Sequence, residues 1–487
     1  MPIRSVDPRS GVAFGPEFTE ADEAEVETAV ARAARAQDAL GQAGPPAIAA
    51  ALRAAADALD AERGDLVALA DTETALGTAR LAGEVGRTTG QLRAFADLVA
   101  TGAHLRPAVS VVPGGAPARD VRKINVPVGV VAVFAASNFP FAFSVAGGDT
   151  AAALAAGCAV IVKAHYGHPQ TSQRVAGILS ATLDRVGLPP DTVQLLHGGT
   201  TAGQLLVGHP GVAAVGFTGS TAGGRALTDL AARRPAPIPV YAEQGSLNPV
   251  VLAPSAFRGP GSRALAAQLG GAVTMGAGQF CTKPGVLLVP ADHREEFSRD
   301  LIGVLGTAPP AHLLTAKIRE QYEQAVATAA ATPGVTGWRG GQPGTGFGAA
   351  AAVLSCDQPA LVAESALREE LFGPAVLVVG VRDVGELRAA LRVLGGNLTG
   401  TVHGDPSDDW TLTALGVLAG QVGRLIYQGV PTGVAVVPAM HHGGPYPASS
   451  SARETSVGTD AIHRFLRPLA FQDFPADLLP SALRHLS

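Results

Sequence analysis

Three side chains in this sequence could together carry out acyl chemistry: a thiol, a carboxylate and an amide. Cys281 stands in Gly278-Gln279-Phe280-Cys281-Thr282-Lys283-Pro284-Gly285, a glycine-bounded turn running into the apolar stretch Val286-Leu287-Leu288-Val289. A thiol on a loop at a strand end can meet a ligand, whereas the same thiol inside a core is only a small hydrophobe. Glu243 closes the stretch Tyr241-Ala242-Glu243 ahead of Gln244-Gly245. A partly buried carboxylate there could serve as a general base; an exposed one would cap a helix or pair with a cation. Asn138, in Ala136-Ser137-Asn138-Phe139-Pro140-Phe141, could turn its amide toward an oxyanion or simply shape a turn. Phe217-Thr218-Gly219-Ser220-Thr221-Ala222-Gly223-Gly224 separates a strand pattern from a helix pattern. Glycines in such a turn let the backbone approach a pyrophosphate at the helix N-terminus, although the stretch is not a complete GxGxxG fingerprint.

The elements that must position these residues follow from periodicity and breakers. At 487 residues the chain needs more than one core. Residues 20–103 read as helices, with Gly44-Pro45-Pro46 breaking an Ala/Glu/Arg-rich run before helices at 47–62 and 79–100. From His104 the pattern turns to alternation, with strands at 109–112, 123–128 and 130–134. Helices at 142–156, 172–186 and 202–207 then alternate with strands at 159–162, 193–196 and 213–217. Strand, crossover helix and strand in repetition predict a parallel sheet with helices on both faces. A second α/β series begins at Pro239, with strands at 250–252, 375–379 and 423–426 and helices at 262–275, 294–305 and 319–331. The stretch 340–348 reads as a Gly-rich surface loop, and the apolar alternation of 463–471 could pair with another strand. The expected division is a dinucleotide-binding domain at 1–103 and 129–240, a catalytic domain at 241–445, and an oligomerisation arm at 104–128 and 446–487.

Composition excludes several classes. Charged residues at 16% and hydrophobic ones at 47% are a globular balance. A net charge of −5 argues against nucleic acid as the main partner. The most apolar region, 142–164, is interrupted by Gly147, Gly148 and Asp149, so no membrane span is expected. Residues 1–20 carry Arg4, Asp7, Arg9 and Glu17 and lack a signal-type apolar core. Cys158, Cys281 and Cys356 are widely spaced, with no CxxC or Cys/His cluster. Neither a metal site nor a disulfide framework is expected, a reducing cytoplasm fits, and Cys158 and Cys356 read as structural.

Taken in order, Asn138-Phe139-Pro140, Lys163, Phe217-Thr218-Gly219-Ser220, Glu243-Gln244-Gly245, Gly278-Gln279-Phe280-Cys281 and Glu370-Leu371-Phe372-Gly373-Pro374 resemble the successive motifs of the aldehyde dehydrogenase superfamily. The resemblance spans about residues 20 to 475. Within it, Lys163-Ala164-His165 with His168-Pro169, the stretch 424–433, and His442-Gly443-Gly444-Pro445-Tyr446-Pro447 resemble one branch. That branch holds bacterial 2-oxoglutarate semialdehyde (2,5-dioxopentanoate) dehydrogenases and related NADP-linked fatty aldehyde dehydrogenases. The resemblance implies an α/β fold with a Rossmann-like cofactor domain, an α/β catalytic domain and a small β arm, assembled as homodimers or homotetramers.

It also implies roles. The Cys281 thiolate would add to an aldehyde to give a thiohemiacetal, with the oxyanion held by the Asn138 amide and the Cys281 N–H. Glu243 would activate the water that hydrolyses the resulting thioester. Around the cofactor, Lys163 would meet the adenosine ribose with His165 and Tyr166 beside it, and Ser220 the pyrophosphate. Gly199, Gly203, Gly219 and Gly223 would allow close approach near Phe217, Gln244 and Gly245 would line the nicotinamide, and Glu370 and Phe372 its ribose. NAD-preferring members often carry a Glu three residues after the Lys, and here that position is Tyr166. With no carboxylate there to repel a 2′-phosphate, NADP is the expected preferred cofactor, with NAD also accepted. Arg87 and Gln91, sharing a helix face, would line the aldehyde tunnel opposite Phe139, Ala142 and Phe143. An Arg in an apolar tunnel suits a distal carboxylate, hence 2,5-dioxopentanoate oxidised to 2-oxoglutarate. A medium- or long-chain aldehyde is the alternative substrate, and a non-catalytic dinucleotide-binding protein the alternative class.

Overall fold

Short runs of Val, Ile and Ala sit at the centre of the molecule because strands covered by helices on both faces must be apolar throughout. The computed structural model describes residues 2–112, 119–258, 261–308, 311–340 and 344–484. Residues 113–118 and 485–487 of the expected arm, and 341–343 of the expected Gly-rich loop, lie outside the described residues.

The first sheet is five-stranded and parallel, in the order Val193–Leu196, Val160–Lys163, Val131–Phe134, Ala214–Thr218, Val240–Glu243. Residues of the helices Glu23–Ala61, Thr78–Thr101, Gly148–Ala155 and Pro169–Arg185 bury against it in one continuous core. Its last strand straddles the expected boundary between 240 and 241, and its register sets Glu243 beside Thr218 at the start of the glycine turn. The second sheet is seven-stranded: Thr336–Arg339, Ala352–Asp357, Ala375–Val381, Val286–Pro290, Val250–Leu252, Asn397–His403, Val422–Tyr427. All its pairings are parallel except that of Thr336–Arg339 with Ala352–Asp357. A three-stranded antiparallel sheet joins Leu466–Gln472, Arg119–Pro127 and Ala108–Val112, the pairing foreshadowed by the alternation of the tail.

Two expectations change and one local break stands. The helix expected over 142–156 is shortened to Gly148–Ala155, and 140–147 are turns and bends. The Phe143 carbonyl accepts from the Ala136 N–H at 2.8 Å and the Ala142 carbonyl from the Gly148 N–H at 2.9 Å, so neither serves a helical i,i+4 bond, and the Glu84 carboxylate takes the N–H groups of Phe141 and Ala142 at 2.8 and 2.9 Å. The Gly-Pro-Pro break is borne out: Gly44, with φ of 75° and ψ of 171°, is non-helical and separates two helical segments within Glu23–Ala61. Finally, residues 446–465 do not join the arm. Ser449 bridges to Glu243, and Ala461, Ile462 and Phe465 are buried in the first core before the chain enters Leu466–Gln472.

Candidate active site

The Cys281 turn is fixed from both sides by buried polar groups. Asn248, in a left-handed conformation with φ of 46°, donates its amide hydrogens to the carbonyls of Cys281 at 2.8 Å and Lys283 at 2.9 Å. Asn397 Oδ1 accepts from the N–H groups of Leu247 and Asn248 at 2.9 and 3.1 Å, holding that loop in turn. Gly278 has φ of 69°, and a Cβ there would lie 2.1 Å from the Gly373 carbonyl oxygen. Only glycine lets the turn pack directly on the stretch 370–374.

Asn138 is buried, and its Nδ2 donates to the Gln279 carbonyl at 2.8 Å, close in sequence to Cys281. An amide nitrogen carries two hydrogens, and among the described residues neither the second nor the Cys281 N–H has an acceptor. Both remain for an oxyanion.

Glu243 is buried at the end of its strand, and one nitrogen joins it to the thiol. His442 Nε2 is 3.0 Å from Glu243 Oε1 and 3.5 Å from Cys281 Sγ. The Ser456 hydroxyl donates to Glu243 Oε2. Burial pushes the Glu243 carboxyl up, but the charge and hydrogen bond of His442 and the Ser456 hydroxyl outweigh it and hold it below the usual range. The Cys281 thiol, although its side chain keeps some exposure, is pushed well above its ordinary value, by burial first and then by the Glu243 charge; Arg87 pulls the other way. At neutral pH the site therefore pairs an ionised carboxylate with a protonated thiol.

The helix Thr78–Thr101 turns Arg80, Glu84, Arg87 and Gln91 toward one side, at successive i,i+4 and i,i+3 spacings. The Arg87 guanidinium lies 5.2 Å from the Phe143 ring centroid, within the fields of Cys281 and Glu243. Arg80 lies 5.1 Å from the Phe139 ring and 4.7 Å from the Phe280 ring. Each guanidinium has a buried Nη1 with no partner among the described residues. Phe139 packs on Phe143 at 5.4 Å and edge-on to Phe280 at 5.2 Å. Ala142 and Phe143 bury with Ala136 and Val457, and Phe139, Val434, Val436 and Met440 pack on them. Gln91 instead lies against Gly148, where a Cβ would stand 3.0 Å from its Nε2.

The expected cofactor residues gather along the first sheet. Lys163 ends its strand and donates to the Gly198 carbonyl at 3.1 Å; burial brings its ammonium down to about 8, with Glu20 opposing. Tyr166 is exposed and stacks on His165 at 4.5 Å, and burial holds His165 well below its usual value, so it is neutral. Position 166 carries no carboxylate, and the carboxylate whose charge reaches Lys163 is Glu20, from the N-terminal segment. It accepts from the Gly199 N–H at 2.9 Å, capping the helix Thr200–Gly208. Ser220 caps the helix Thr221–Ala232, accepting from the Gly223 N–H at 3.2 Å. A Cβ at Gly219 or Gly223 would meet the Phe217 ring at 2.7 or 3.0 Å, and one at Gly203 the Phe134 ring at 2.9 Å, so these glycines make room for rings. A Cβ at Gly245 would meet Glu370 Oε2 at 2.6 Å. The Glu370 carboxyl is pushed up to about 7 by burial, against the pull of Lys283. Phe372 is half-buried on the same stretch, and Gln244 Oε1 is buried without a partner among the described residues. A helix N-terminus, an ammonium and an orphaned amide oxygen are a donor and acceptor set that fits a dinucleotide.

Sequence reasoning gave no role to His442, Ser456, Glu20, Arg80, Glu84 or Asn248. Arg80 and Glu84 could have been found as helical-face neighbours of Arg87. The others could not, since Glu243 meets His442 across 199 positions and Ser456 across 213.

The model of the aldehyde dehydrogenase family matches residues 2–444. The alpha-ketoglutaric semialdehyde dehydrogenase 2 of Azospirillum brasilense is 46% identical, over 99% of this chain and 93% of its own length. The alpha-ketoglutaric semialdehyde dehydrogenase of Acinetobacter baylyi is 42% identical, over 85% of this chain and 80% of its own. Among solved structures, a betaine aldehyde dehydrogenase variant from Staphylococcus aureus matches with a TM-score of 0.84 at 21% identity, over 100% of this chain and 94% of that one. A 1-pyrroline-5-carboxylate dehydrogenase matches at 0.83 and 22%, over 97% and 90%. These two share the fold.

Proposed function

The chain belongs to the aldehyde dehydrogenase family, and from that premise we propose that its substrate is 2-oxoglutarate semialdehyde (2,5-dioxopentanoate), oxidised to 2-oxoglutarate. It is an NAD(P)-dependent aldehyde oxidoreductase. The observation that carries the substrate reading is the pair of arginines, Arg80 and Arg87, each with an unpartnered buried Nη1 among the phenylalanines beside Cys281. A distal carboxylate satisfies such groups and an alkyl chain does not. The printed activities of the Azospirillum and Acinetobacter relatives point the same way.

The residues divide the work by environment. His442 Nε2–H stays on Glu243 Oε1 and keeps that carboxylate ionised, while the Cys281 proton passes to solvent as the thiolate forms, favoured by the Arg87 charge. The thiolate adds to the aldehyde carbon, and the new alkoxide takes the Cys281 N–H and the second hydrogen of Asn138 Nδ2. A nicotinamide dinucleotide, held by Lys163, the Ser220 helix N-terminus and Gln244, supplies the hydride acceptor. Once Cys281 carries the acyl group as a thioester, Glu243, held ionised, takes a proton from the attacking water.

The reading extends to NADP as the preferred dinucleotide, supported by Tyr166 at the position where a carboxylate would repel a 2′-phosphate, with Glu20 as the residue that limits the preference. Homodimers or homotetramers formed through the arm are supported by its edge strand Ala108–Val112, which exposes Val111 and Val112. A cytoplasmic setting is supported by three free cysteines, and no described helix is long and apolar enough to cross a membrane.

The test is initial-rate formation of reduced cofactor, with NADP and with NAD, over 2,5-dioxopentanoate, succinic semialdehyde, hexanal and dodecanal. The expected kcat/KM for 2,5-dioxopentanoate exceeds that of the alkanals by about tenfold or more. Efficiency rising with alkyl length would overturn the substrate.

A further inference from the structure

Cys281, His442 and Glu243 each offer one ligand atom, and these atoms lie within 4.8 Å of one another. Around a tetrahedral zinc ion, with Zn–S near 2.3 Å and Zn–N and Zn–O near 2.0–2.1 Å, neighbouring ligand atoms stand about 3.4–3.6 Å apart. His442 Nε2 stands 3.5 Å from the sulfur and 3.0 Å from the carboxylate oxygen, so two of the three spans are at or near ligand spacing without a bound ion. A single nitrogen here faces two groups with one proton or one lone pair to offer, and one contact is always left short. A cation takes a lone pair from all three. The His442 and Glu243 side chains are 1% and 3% exposed, so both are already fixed. Thiolate, imidazole and carboxylate, with a fourth place left for water, are the composition of an open zinc site. A thiolate and a carboxylate also offset the two charges of the ion, so Arg87, which faces the same sulfur, meets a neutral assembly.

We propose that a thiophilic divalent cation, Zn²⁺ foremost, binds Cys281, His442 and Glu243 and reversibly silences the enzyme by occupying its nucleophile. The Cys281 S–H bond breaks and its proton leaves to the buffer. Sγ, His442 Nε2 and Glu243 Oε1 each donate an electron pair to the ion, and nothing is oxidised or reduced. Cys158 and Cys356 are fully buried, with thiols pushed up to about 11 and about 12 by burial, and do not compete. The site is independent of which aldehyde the enzyme takes.

The experiment titrates Co²⁺, and separately Zn²⁺, into the full-length metal-free protein. Tetrahedral cobalt bands with a thiolate charge-transfer band should saturate at one ion per chain, and calorimetry with Zn²⁺ in two buffers should show about one proton released per ion. Cys281→Ser should lose the charge-transfer band, and His442→Gln and Glu243→Gln should each weaken Zn²⁺ at least about tenfold. Circular dichroism establishes that the variants are folded. An octahedral cobalt spectrum without charge transfer, or Zn²⁺ binding to the wild type without proton release, overturns the site. Equal Zn²⁺ affinity in folded His442→Gln also overturns it. None of these readouts requires turnover, so they fail or succeed apart from the substrate assignment.

Discussion

Asn248 is where the geometry of the nucleophile can be broken without touching it. Its side chain donates to the carbonyls of Cys281 and Lys283 at 2.8 and 2.9 Å and accepts from the Thr399 N–H and hydroxyl at 3.2 and 3.0 Å. It is 1% exposed, so water cannot replace these partners. Asn248→Ala strands two carbonyls and an N–H at about 1–3 kcal/mol each. It also places alanine in a left-handed conformation, at about 1–2 kcal/mol. The sum, roughly 4–11 kcal/mol, is comparable with the whole stability of a typical domain, so that variant should melt early and report little on catalysis. Asn248→Asp is the sharper perturbation. It keeps the shape, tolerates the left-handed backbone and still accepts from Thr399; buried as the neutral acid it offers one O–H where the amide offered two N–H, so one of the two carbonyls is left facing a lone pair. The loss then falls on the turn that presents the thiol, and a displacement on the order of 1 Å there costs about a hundredfold in rate. The expected result is a folded protein with kcat lowered about a hundredfold and dinucleotide affinity, read by fluorescence titration, within about threefold of wild type. A folded Asn248→Asp enzyme with kcat within about threefold of wild type would refute the reasoning, because it would mean the turn is held by its glycines and neighbours alone.

Three further outcomes follow from the site. Arg87→Leu should raise KM for 2,5-dioxopentanoate by about 10–100-fold while leaving hexanal within about threefold, measured by steady-state kinetics; equal effects on both substrates would place Arg87 in structure and not in recognition. Glu20→Gln removes an exposed charge near the expected 2′-phosphate position and should raise the NADP/NAD ratio of kcat/KM by about tenfold; an unchanged ratio would separate Glu20 from cofactor choice. Alkylation of Cys281 by iodoacetamide should accelerate with pH beyond the range of an ordinary thiol, since burial and the Glu243 anion both disfavour the thiolate. Glu243→Gln removes one of those two causes, so its alkylation profile should move to lower pH. A profile moved to higher pH would mean that Glu243 acts first as the thiol's base.

What was legible in the sequence was chemistry written within a few residues. The Cys281 turn carries its nucleophile, its glycines and the strand that anchors it in one stretch, and the structure sets it beside Glu243 and Asn138. Alternation of strand and helix patterns foretold the parallel sheet, because two-sided burial demands runs such as Val131–Phe134. What was not legible depended on pairing across the chain. Four residues with strand character at 240–243 do not say which sheet they join; the pairing of Val215 with Val240 decides it, and carries Glu243 into the first sheet. The stretch 142–147 reads as helical, but its Phe143 carbonyl is taken by the N–H of Ala136 from the preceding strand end, and Glu84, more than fifty positions earlier, holds the Ala142 N–H. The Glu20 carboxylate reaches the neighbourhood of Lys163 from a distant segment, so a reading confined to the residues after Lys163 misses it.

The same helix that supplies that carboxylate, Glu84, also bears on the substrate. Glu84 stands on the face shared by Arg80 and Arg87, and one would expect it to neutralise them. Its Oε1 is committed to the Phe141 and Ala142 N–H groups, and its Oε2 is buried without a partner. Burial, acting against Arg80, those two N–H groups and Arg87, pushes its carboxyl above the usual range. Every increment toward the neutral acid leaves the two guanidinium groups with less counter-charge. Both Nη1 atoms are already shielded from water without an acceptor among the described residues, and an alkyl tail leaves that cost of about 1–3 kcal/mol each in place. A substrate carboxylate at that depth removes both penalties at once and supplies the missing negative charge. Discrimination between a semialdehyde acid and an alkanal therefore rests on these two guanidinium groups, and Glu84→Gln tests it: losing the internal carboxylate should tighten 2,5-dioxopentanoate, measured as a lower KM, and leave hexanal where it was.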